Sequence, residues 1–492
     1  MKNPSRRFLA GVVSAAVMLQ ILACGLLGNG SNEESPTTVP ATETTGDRLT
    51  YYVSAGEQGA SDSNNGLYPT YQGGQDGPWL TIQHAAETMR AGDTTLVRAG
   101  TYFESDIKFA HSGTSNAPIT LSRYAEEAVV LDGSQSENKS SGIQISKGQG
   151  HYVIQGFEIR DMPRSGIATD GSTSQTYPDI TIRDCMAHDN GLSGFRLAAV
   201  DGFLVENVEA YGNAYYGMEV AASDNGKLSS ANGEVKGSSF HDHTGEEGHG
   251  FAINQGHDIQ VSDSLAYHNT IHGFDVSDMP KKGELSHDIT LVGNLSYDNG
   301  VSGFSVNSDS HHVVYIRNVA WRNGGDWSGH GSAPGFICYN GCWHVEWYNN
   351  VSAENTDAGF RFEDPPGKFG KYEDTLLIYK NNIAFDNDSR HLWAPAFAIM
   401  GDGLMQVIAT NNIWHVPAGQ SMAVYNQGTQ YTPEQINGGL FQTGNLSINP
   451  LFINPAEHDF HLQPGSPCID TGVDIGQPYL GPAPDMGAYE FE

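Results

Sequence analysis

The chain has 492 residues with 59 glycines, and 25 Lys plus Arg against 57 Asp plus Glu give it a formal net charge of −32. This charge argues against a nucleic-acid partner, because no basic stripe is present to neutralise phosphates. The glycine-rich, lysine-poor composition favours a β-rich chain with many tight turns over a bundle of helices.

The first 24 residues predict an export signal. Lys2, Arg6 and Arg7 precede an apolar run over residues 8–23, which is the layout of a secretory signal and too short for a comfortable membrane span. The run ends in Ile21-Leu22-Ala23-Cys24, which resembles a bacterial lipobox. We therefore expect residues 1–24 to be a signal peptide with lipidation at Cys24, and a surface or envelope lipoprotein held at the membrane by that anchor. The alternative is an ordinary cleaved signal and a fully secreted protein.

Two stretches precede the repeats. Residues 25–48 are rich in Thr, Ser, Glu, Pro and Gly and predict a disordered linker. Residues 49–150 are expected to hold an N-terminal cap and the first coils of the main domain. Ile82, Ala85, Ala86 and Met89 share one face of a predicted helix that stops at Gly92. A solenoid needs its open apolar end covered, and this helix is the predicted cover.

From residue 151 to about residue 440 the sequence repeats itself. A four-residue pattern ending in Asn recurs, and Gly followed by a large apolar residue comes shortly after it, as in Gly194-Phe195, Gly273-Phe274 and Gly303-Phe304. Short alternating runs such as Ile180-Thr181-Ile182 have the period of strands. A short repeat of strands is typical of a solenoid. The fold class predicted is all-β, a right-handed parallel β-helix of about ten coils over residues 49–492, with residues 441–492 as its C-terminal cap segment.

Asparagine and cysteine positions add further expectations. One asparagine column holds Asn294, Asn318, Asn350 and Asn382, and a second runs from Asn190 to Asn387. We expect an inward ladder for at least one column, and the alternative is turn asparagines that face solvent. Cys338 and Cys342 bracket a turn and are candidates for a disulfide in an oxidising compartment, whereas Cys185 is expected in the core.

Several motifs resemble the pectate-lyase-like β-helix superfamily. They are Tyr51-Tyr52-Val53-Ser54, the run from Gly77-Pro78-Trp79 to Ala85, Ala99-Gly100-Thr101-Tyr102, and a tail from Asp459 to Pro467. Within that superfamily the chain is most similar to polysaccharide lyase family nine and its uncharacterised relatives. The resemblance implies β-elimination on an acidic pectic polysaccharide, with calcium bound by carboxylates and a basic residue as proton acceptor.

The family's calcium motif is only partly matched. Where the family carries Asp-Asp-Gly-Trp-Asp, this chain has Ile271-His272-Gly273-Phe274-Asp275, so that Asp275 matches while Ile271 and His272 replace carboxylates. The family's lysine falls about one coil later, where residues 305–312 contain none.

Candidate site residues follow from aligning the repeats. The residue after each apolar anchor should face outward, which places Arg196, Glu219, Asp275 and Arg361 in one column and Asn254 and Asn307 in the next outward position. We expect Glu219, Asp275 and Asp278 to bind Ca²⁺ and Asn254, Asn307 and Arg361 to bind substrate. The candidate catalytic bases are Lys281, Lys282 and Arg196.

Three functions remain open at this point. The first is a polysaccharide lyase acting on a uronic-acid glycan such as pectate. The second is an inverting glycoside hydrolase that uses Glu219 and Asp275. The third is a noncatalytic module that binds glycan or forms part of the cell envelope. For each we expect an acidic polysaccharide as partner and a monomer.

Overall fold

Short strands with alternating burial make up nearly all of the regular structure. The computed structural model describes residues 48–136, 139–172, 174–278, 284–324, 333–363, 376–387, 396–400, 406–415, 424–426, 429–432, 435 and 443–492. The predictions for the signal peptide, for Cys24, for residues 25–47 of the linker, and for Lys281 and Lys282 lie outside these residues.

The chain winds through three sheets in turn, and each coil contributes one strand to each sheet. Strands of successive coils pair in parallel, as in the ladders between Tyr177–Arg183 and Val200–Glu206 and between Phe195–Ala198 and Tyr216–Ala221. The described residues form about twelve coils of a right-handed parallel β-helix, which confirms the predicted fold. The predicted count of ten was too low, because the strands before residue 151 lack the asparagine and glycine pattern that marks the later coils.

The first sheet has 13 described strands: Thr50–Val53, Thr94–Val97, Ile119–Arg123, Tyr152–Gln155, Tyr177–Arg183, Val200–Glu206, Ser230–Lys236, Gly256–Ser262, His287–Val292, His311–Ile316, Trp343–Tyr348, Leu376–Lys380 and Gln406–Thr410.

The second sheet has 12 described strands: Gly100–Tyr102, Val129–Asp132, Phe157–Arg160, Met186–His188, Glu209–Tyr211, Ser239–His241, Leu265–Tyr267, Leu295–Tyr297, Val319–Trp321, Val351–Ala353, Ile383–Phe385 and Ile413–Trp414.

The third sheet has 12 described strands: Ile143–Ile145, Ile167–Thr169, Phe195–Ala198, Tyr216–Ala221, His249–Asn254, Phe274–Ser277, Phe304–Asn307, Phe336–Tyr339, Phe360–Glu363, Phe397–Met400, Val424–Asn426 and Thr429–Tyr431. The last of these strands pairs antiparallel to its neighbour.

The core is a set of columns that run along the solenoid. Inward residues of the third sheet stack with nearly parallel rings, and the centroids of Phe274 and Phe304 are 5.2 Å apart while those of Phe304 and Phe336 are 4.8 Å apart. These residues are the apolar anchors that follow the glycines in the repeat. The glycine is needed because a Cβ at Gly273 would lie 2.0 Å from the Ser296 hydroxyl of the next coil.

Both asparagine columns point inward and are buried. In the first, Asn318 donates from its side chain to Asn350 Oδ1 at 3.1 Å, and Asn350 donates to Asn382 Oδ1 at 3.0 Å. In the second, Asn323 donates to Asn355 Oδ1 at 2.9 Å. Each amide also binds backbone groups of the adjacent coils, so the columns tie one coil to the next. The ladder prediction is confirmed for both columns.

One position of the second column holds a histidine. His243 accepts a hydrogen bond from the backbone N–H of Asn213 through Nδ1 at 3.1 Å, and its own backbone N–H donates to Asn269 Oδ1 at 3.3 Å. Burial lowers the pKa of His243 to about 3, although backbone hydrogen bonds with Asn213 and Ala210 oppose the shift. His243 therefore replaces an amide rung by a neutral ring with fewer bonds.

The predicted helix is present over Ile82–Thr88. Thr81 caps its N-terminus by accepting a hydrogen bond from the backbone N–H of His84, and Ile82, Ala85, Ala86 and Met89 are buried in the main core. That it closes the first coil stays a prediction. Among the described residues, no helix has the length and apolar character needed to cross a membrane.

The segment 443–492 packs along the outer face of the second sheet. Its antiparallel pair, Phe452–Asn454 and Asp459–Leu462, joins Cys468, Met486 and Ala488 in a second apolar cluster with Val351, Ile383 and Phe385. Polar contacts fix the same segment, since Asn349 donates to the Asp485 carbonyl at 2.7 Å and Asn381 donates to the Val473 carbonyl at 2.8 Å. This placement covers the side of the last coils, and the role of the segment as the C-terminal cap stays a prediction.

The cysteines agree with the sequence expectations. A disulfide joins Cys338 and Cys342 across a turn in which Asn340 and Gly341 have positive φ. Cys185 is a buried free thiol in the main core.

Candidate functional site

The outward face of the third sheet carries the predicted columns in register. Strand pairing aligns the first column, which contains Arg196, Glu219, Ala252, Asp275, Ser305, Ile337 and Arg361. Pairing also aligns Asn254 with Ser277, two residues further along their strands. The repeat spacing therefore predicts which side chains share this face.

Polar contacts join the two columns around Glu219. Arg196 Nε donates to Glu219 Oε2 at 2.9 Å, and Asn254 Nδ2 donates to Glu219 Oε1 at 3.1 Å. Ser277 Oγ in turn donates to Asn254 Oδ1 at 2.5 Å. Glu219 is only 7% exposed, so this carboxylate is held in a fixed orientation by a cation and an amide.

Asp275 lies two coils from Glu219, with the small residue Ala252 between them. It is 5% exposed and accepts a hydrogen bond from Asn307 Nδ2 at 3.0 Å. Burial raises the pKa of Asp275, although hydrogen bonds from Ser305, Ser277 and Asn307 and the proximity of His249 oppose the shift. A buried carboxyl with a raised pKa is a recurrent property of functional sites.

A third row of side chains, three residues before the first column, was missed by sequence reasoning as a candidate site. It holds Tyr216, His249 and His272 on successive coils, and strand pairing aligns Tyr216 with His249. The ring centroids of Tyr216 and His249 are 5.4 Å apart, and those of His249 and His272 are 5.3 Å apart. The constant spacing to Glu219, Ala252 and Asp275 is the sequence signal that would have found them.

The predicted calcium ligands are not brought together. Among the residues described here, no group of three or more His, Cys, Asp or Glu side chains is arranged to hold a metal ion. Glu219 is instead paired with Arg196, and Asp278 lies beyond the end of the strand Phe274–Ser277. That Glu219, Asp275 and Asp278 bind calcium stays a prediction.

The neighbouring donors do not fit calcium either. Ca²⁺ takes six to eight oxygen ligands, whereas His249 and His272 present nitrogens beside Asp275. Nδ1 of His272 accepts the backbone N–H of Ser302 at 3.2 Å, which leaves the ring proton on Nε2. The replacement of carboxylates in this motif has thus changed the chemistry of the donor set.

Two of the predicted basic residues have other partners. Arg361 lies at the far end of the column and binds Asp357 and Glu363, the latter at 2.8 Å. Arg196, the candidate base, is paired with Glu219. A guanidinium stays protonated in proteins, so Arg196 is suited to hold an anion and not to accept a proton.

A polar groove of about 490 Å³ lies along the N-terminal part of the same sheet. Its walls include Arg196, Tyr216 and Glu219, so the groove and the network share residues. Three exposed cations, Lys108, Lys139 and Arg164, also line it. Four carboxylates, those of Asp106, Asp170, Glu219 and Asp224, line the same groove, so its charged side chains of the two signs are balanced.

The fold defines the class of the protein as a right-handed parallel β-helix, with a groove along its third sheet. Residues 68–334 match the family model described as the Pel9A-like, right-handed β-helix region, and the chain belongs to that family.

Two curated proteins are similar over part of their length. The uncharacterized protein YwoF of Bacillus subtilis (strain 168) is 33% identical over 162 residues, which cover 30% of this chain and 32% of YwoF. The pectate lyase PEL9 of Emericella nidulans is 30% identical over 151 residues, which cover 28% of this chain and 35% of that enzyme. The chain thus spans about a third of the length of each of these relatives.

Two solved structures show the same fold. The crystal structure of pectate lyase Pel9A matches 90% of this chain and 97% of its own, with a TM-score of 0.53 and 17% identity. The complex of XylC with xylose matches 76% of each chain, with a TM-score of 0.51 and 12% identity. At these identities the likeness establishes architecture alone.

Proposed function

We propose that the protein binds an acidic polysaccharide along the third sheet and cleaves its uronic-acid linkages by β-elimination. The observation that carries this proposal is the polar network of Arg196, Glu219, Asn254 and Asp275 on one face, where Arg196 and Glu219 also line a groove that carries exposed cations among carboxylates. The similarity to the pectate lyase PEL9 supports the same reaction class.

The groove accounts for recognition. Lys108, Lys139 and Arg164 are exposed side chains along it, where they can pair with the carboxylates of successive sugars. Arg196 stands at the junction with the network, where its guanidinium can neutralise the carboxylate of the sugar that reacts. Neutralising that carboxylate makes the proton on the adjacent carbon easier to remove.

Calcium is the cofactor that the resemblance implies, and the chemistry of the described donors does not support it. The proposed elimination has no step that involves calcium. Lys281 and Lys282 stay candidate bases by sequence.

A panel of acidic and neutral polysaccharides tests the function. We expect the purified domain to release product with the absorbance of an unsaturated uronide from at least one acidic glycan, and none from neutral glycans. Each reaction is run with calcium and with a chelator, and a reducing-sugar assay runs in parallel. Sugar release without the unsaturated absorbance would reject elimination.

Sugar release without the unsaturated absorbance would favour an inverting hydrolase. Glu219 and Asp275 stand two strands apart in one column, which is roughly 10 Å at about 4.8 Å per strand. This separation is near the upper end of the range in which two carboxyl groups admit a water molecule beside the sugar. Glycan binding without any product would favour the noncatalytic module.

We propose further that the protein is exported and works at the cell surface as a lipoprotein. The apolar run that ends at Cys24 supports export, and the disulfide between Cys338 and Cys342 is of a kind that persists in oxidising compartments.

A further inference from the structure

His249 is a buried imidazole that none of the predicted roles uses. It is 7% exposed, and its Nδ1 has no hydrogen-bond partner. A buried polar atom without a partner is unfavourable, so such an atom in a candidate site calls for a functional reason. Glu247 Oε2 is 3.9 Å from Nε2 of the ring, and the charge of Asp275 also acts on it.

Tyr216 lies beside it and faces the groove. Its side chain lines the groove with Arg196 and Glu219, and its ring stacks at 5.4 Å from that of His249. The Tyr216 hydroxyl also interacts with Asn254, the residue that holds Glu219. The pair thus connects the groove with the buried network.

The environments of the two rings push their proton affinities apart. Burial lowers the pKa of His249 to about 4, so this imidazole is neutral and able to accept a proton near pH 7. Burial, together with the charges of Glu219 and Asp275, raises the pKa of Tyr216. This phenol is therefore protonated near pH 7 and can donate its proton to a strong base. Paired groups whose pKa values diverge in this way are the usual mark of an acid and a base.

We propose that His249 and Tyr216 are the catalytic base and acid of the elimination, in place of the lysine that the family resemblance implies. This inference rests on the proposed function. His249 takes the proton from the carbon next to the sugar carboxylate, C5, while the bond between C4 and its glycosidic oxygen breaks and a C4–C5 double bond forms. Tyr216 gives its hydroxyl proton to the departing oxygen. The proton on His249 then returns to the Tyr216 phenolate, which restores both groups.

The geometry explains why no metal is needed in this step. Arg196 supplies the positive charge for the carboxylate, and the two proton-transfer groups stand on adjacent strands of one rigid sheet. Ala252, three positions after His249, stands between Glu219 and Asp275 in the outward column.

The test compares two conservative variants on the glycan that the wild-type protein cleaves. We expect Tyr216→Phe and His249→Gln each to lower kcat by about 100-fold or more, which is the usual contribution of one proton-transfer group. KM and the retardation of the protein in glycan-containing gels should change little. Tyr216→Phe removes a single oxygen, so its melting temperature should match that of the wild type.

The chain offers a matched control. Tyr267 and His241 form another stacked pair on successive coils, with centroids 4.5 Å apart, on the second sheet. Tyr267→Phe and His241→Gln should leave kcat within about twofold of the wild type, because both residues lie on the second sheet and not on the third sheet with Glu219 and Asp275.

The outcomes separate the inference from the function beneath it. Unsaturated product formed at the wild-type rate by both Tyr216→Phe and His249→Gln would overturn the inference and leave the lyase standing. A wild-type protein that binds glycan and forms no unsaturated product would reject both. A loss of activity in Lys281→Ala with Lys282→Ala, with no loss in the two variants, would return the role of base to lysine.

Discussion

Asp275 combines the deepest burial with the most hydrogen bonds among the candidate carboxyl groups. Its oxygens meet Asn307, Ser305 and Ser277, and burial still raises its pKa. Desolvation therefore outweighs three favourable contacts at this position. Carboxyl groups with a raised pKa cluster at functional sites, which supports the part proposed for this face in the reaction.

We expect Asp275→Asn to abolish turnover of the acidic glycan. The amide has nearly the same shape, but it lacks both the negative charge and the titratable proton, and its NH₂ group would meet the Asn307 donor. Unsaturated product measured over time checks this, with Asp263→Asn as the control at an exposed acidic position. Retained turnover in Asp275→Asn would move the site elsewhere, and loss of a calcium-dependent thermal shift in this variant would restore calcium as a ligand.

His243 is the histidine that takes the place of an asparagine in the second asparagine column. Every neighbouring rung offers an amide with an acceptor and two N–H groups, whereas the neutral His243 ring offers one acceptor to Asn213 and a single N–H. An Asn at this position would restore a donor to the next rung.

We therefore expect His243→Asn to raise the free energy of unfolding by about 1 kcal/mol near neutral pH, the usual net value of one hydrogen bond. The gain should grow as the pH falls from 6.5 towards 3. In this range His243 binds a proton in the unfolded wild-type chain but stays neutral in the folded protein, which destabilises the wild type. Denaturant unfolding at pH 7.5 and pH 5 measures both effects. Asn269→His, the reverse change one rung away, should destabilise, and equal stability of wild type and His243→Asn at both pH values would contradict the account.

At the scale of elements, the asparagine columns connect each coil to the next through buried hydrogen bonds. Asn350 accepts from the backbone and side-chain N–H groups of Asn318 and donates to the Tyr315 carbonyl and to Asn382. All four bonds are buried, so no water replaces a lost partner.

We expect Asn350→Ala to lower the free energy of unfolding by roughly 1–3 kcal/mol, since buried backbone groups of two coils lose partners. Asn318→Ala should behave alike. Chemical denaturation measures the change, with Gln260→Ala as a control for an exposed amide on a strand of the first sheet. Unchanged unfolding midpoints in both ladder variants would mean that the rungs carry no net stability.

Much of this element-scale order is readable in the sequence, for a physical reason. Each coil must place a small residue where it passes close to the next coil and a large one in the core, so Gly273-Phe274 and Gly303-Phe304 mark both register and direction. The residues of the outward column are then found by their fixed spacing after each glycine. The early coils were not recognised because their turns use other residues. The position of Asp278 could not be derived in this way because it lies past the strand end, where the repeat spacing no longer fixes position. Tyr216 and His249 were missed because aromatic residues at a strand start predict packing as readily as chemistry.

At the scale of the whole molecule, the sequence predicts where in the cell the protein resides. We expect full-length protein in its native host to fractionate with membranes and Cys24→Ala to move to the soluble fraction. The physical reason is that the acyl chains would supply the apolar contact with the bilayer. Immunoblots of membrane and soluble fractions measure this, and Cys185→Ala, at a buried thiol, is the matched control. Identical partition of Cys24→Ala and the wild type would rule out the lipid anchor.

The segment 443–492 also sets an order on how the protein is made. Coils can stack as they leave the ribosome, since each one contacts mainly its neighbour. The outer apolar face at Val351, Ile383 and Phe385 stays exposed until the segment 443–492 has been made and has packed on it. A chain cut before this segment would thus present stacked coils with an exposed apolar face that can associate with another copy. The segment therefore protects the coils against aggregation during synthesis.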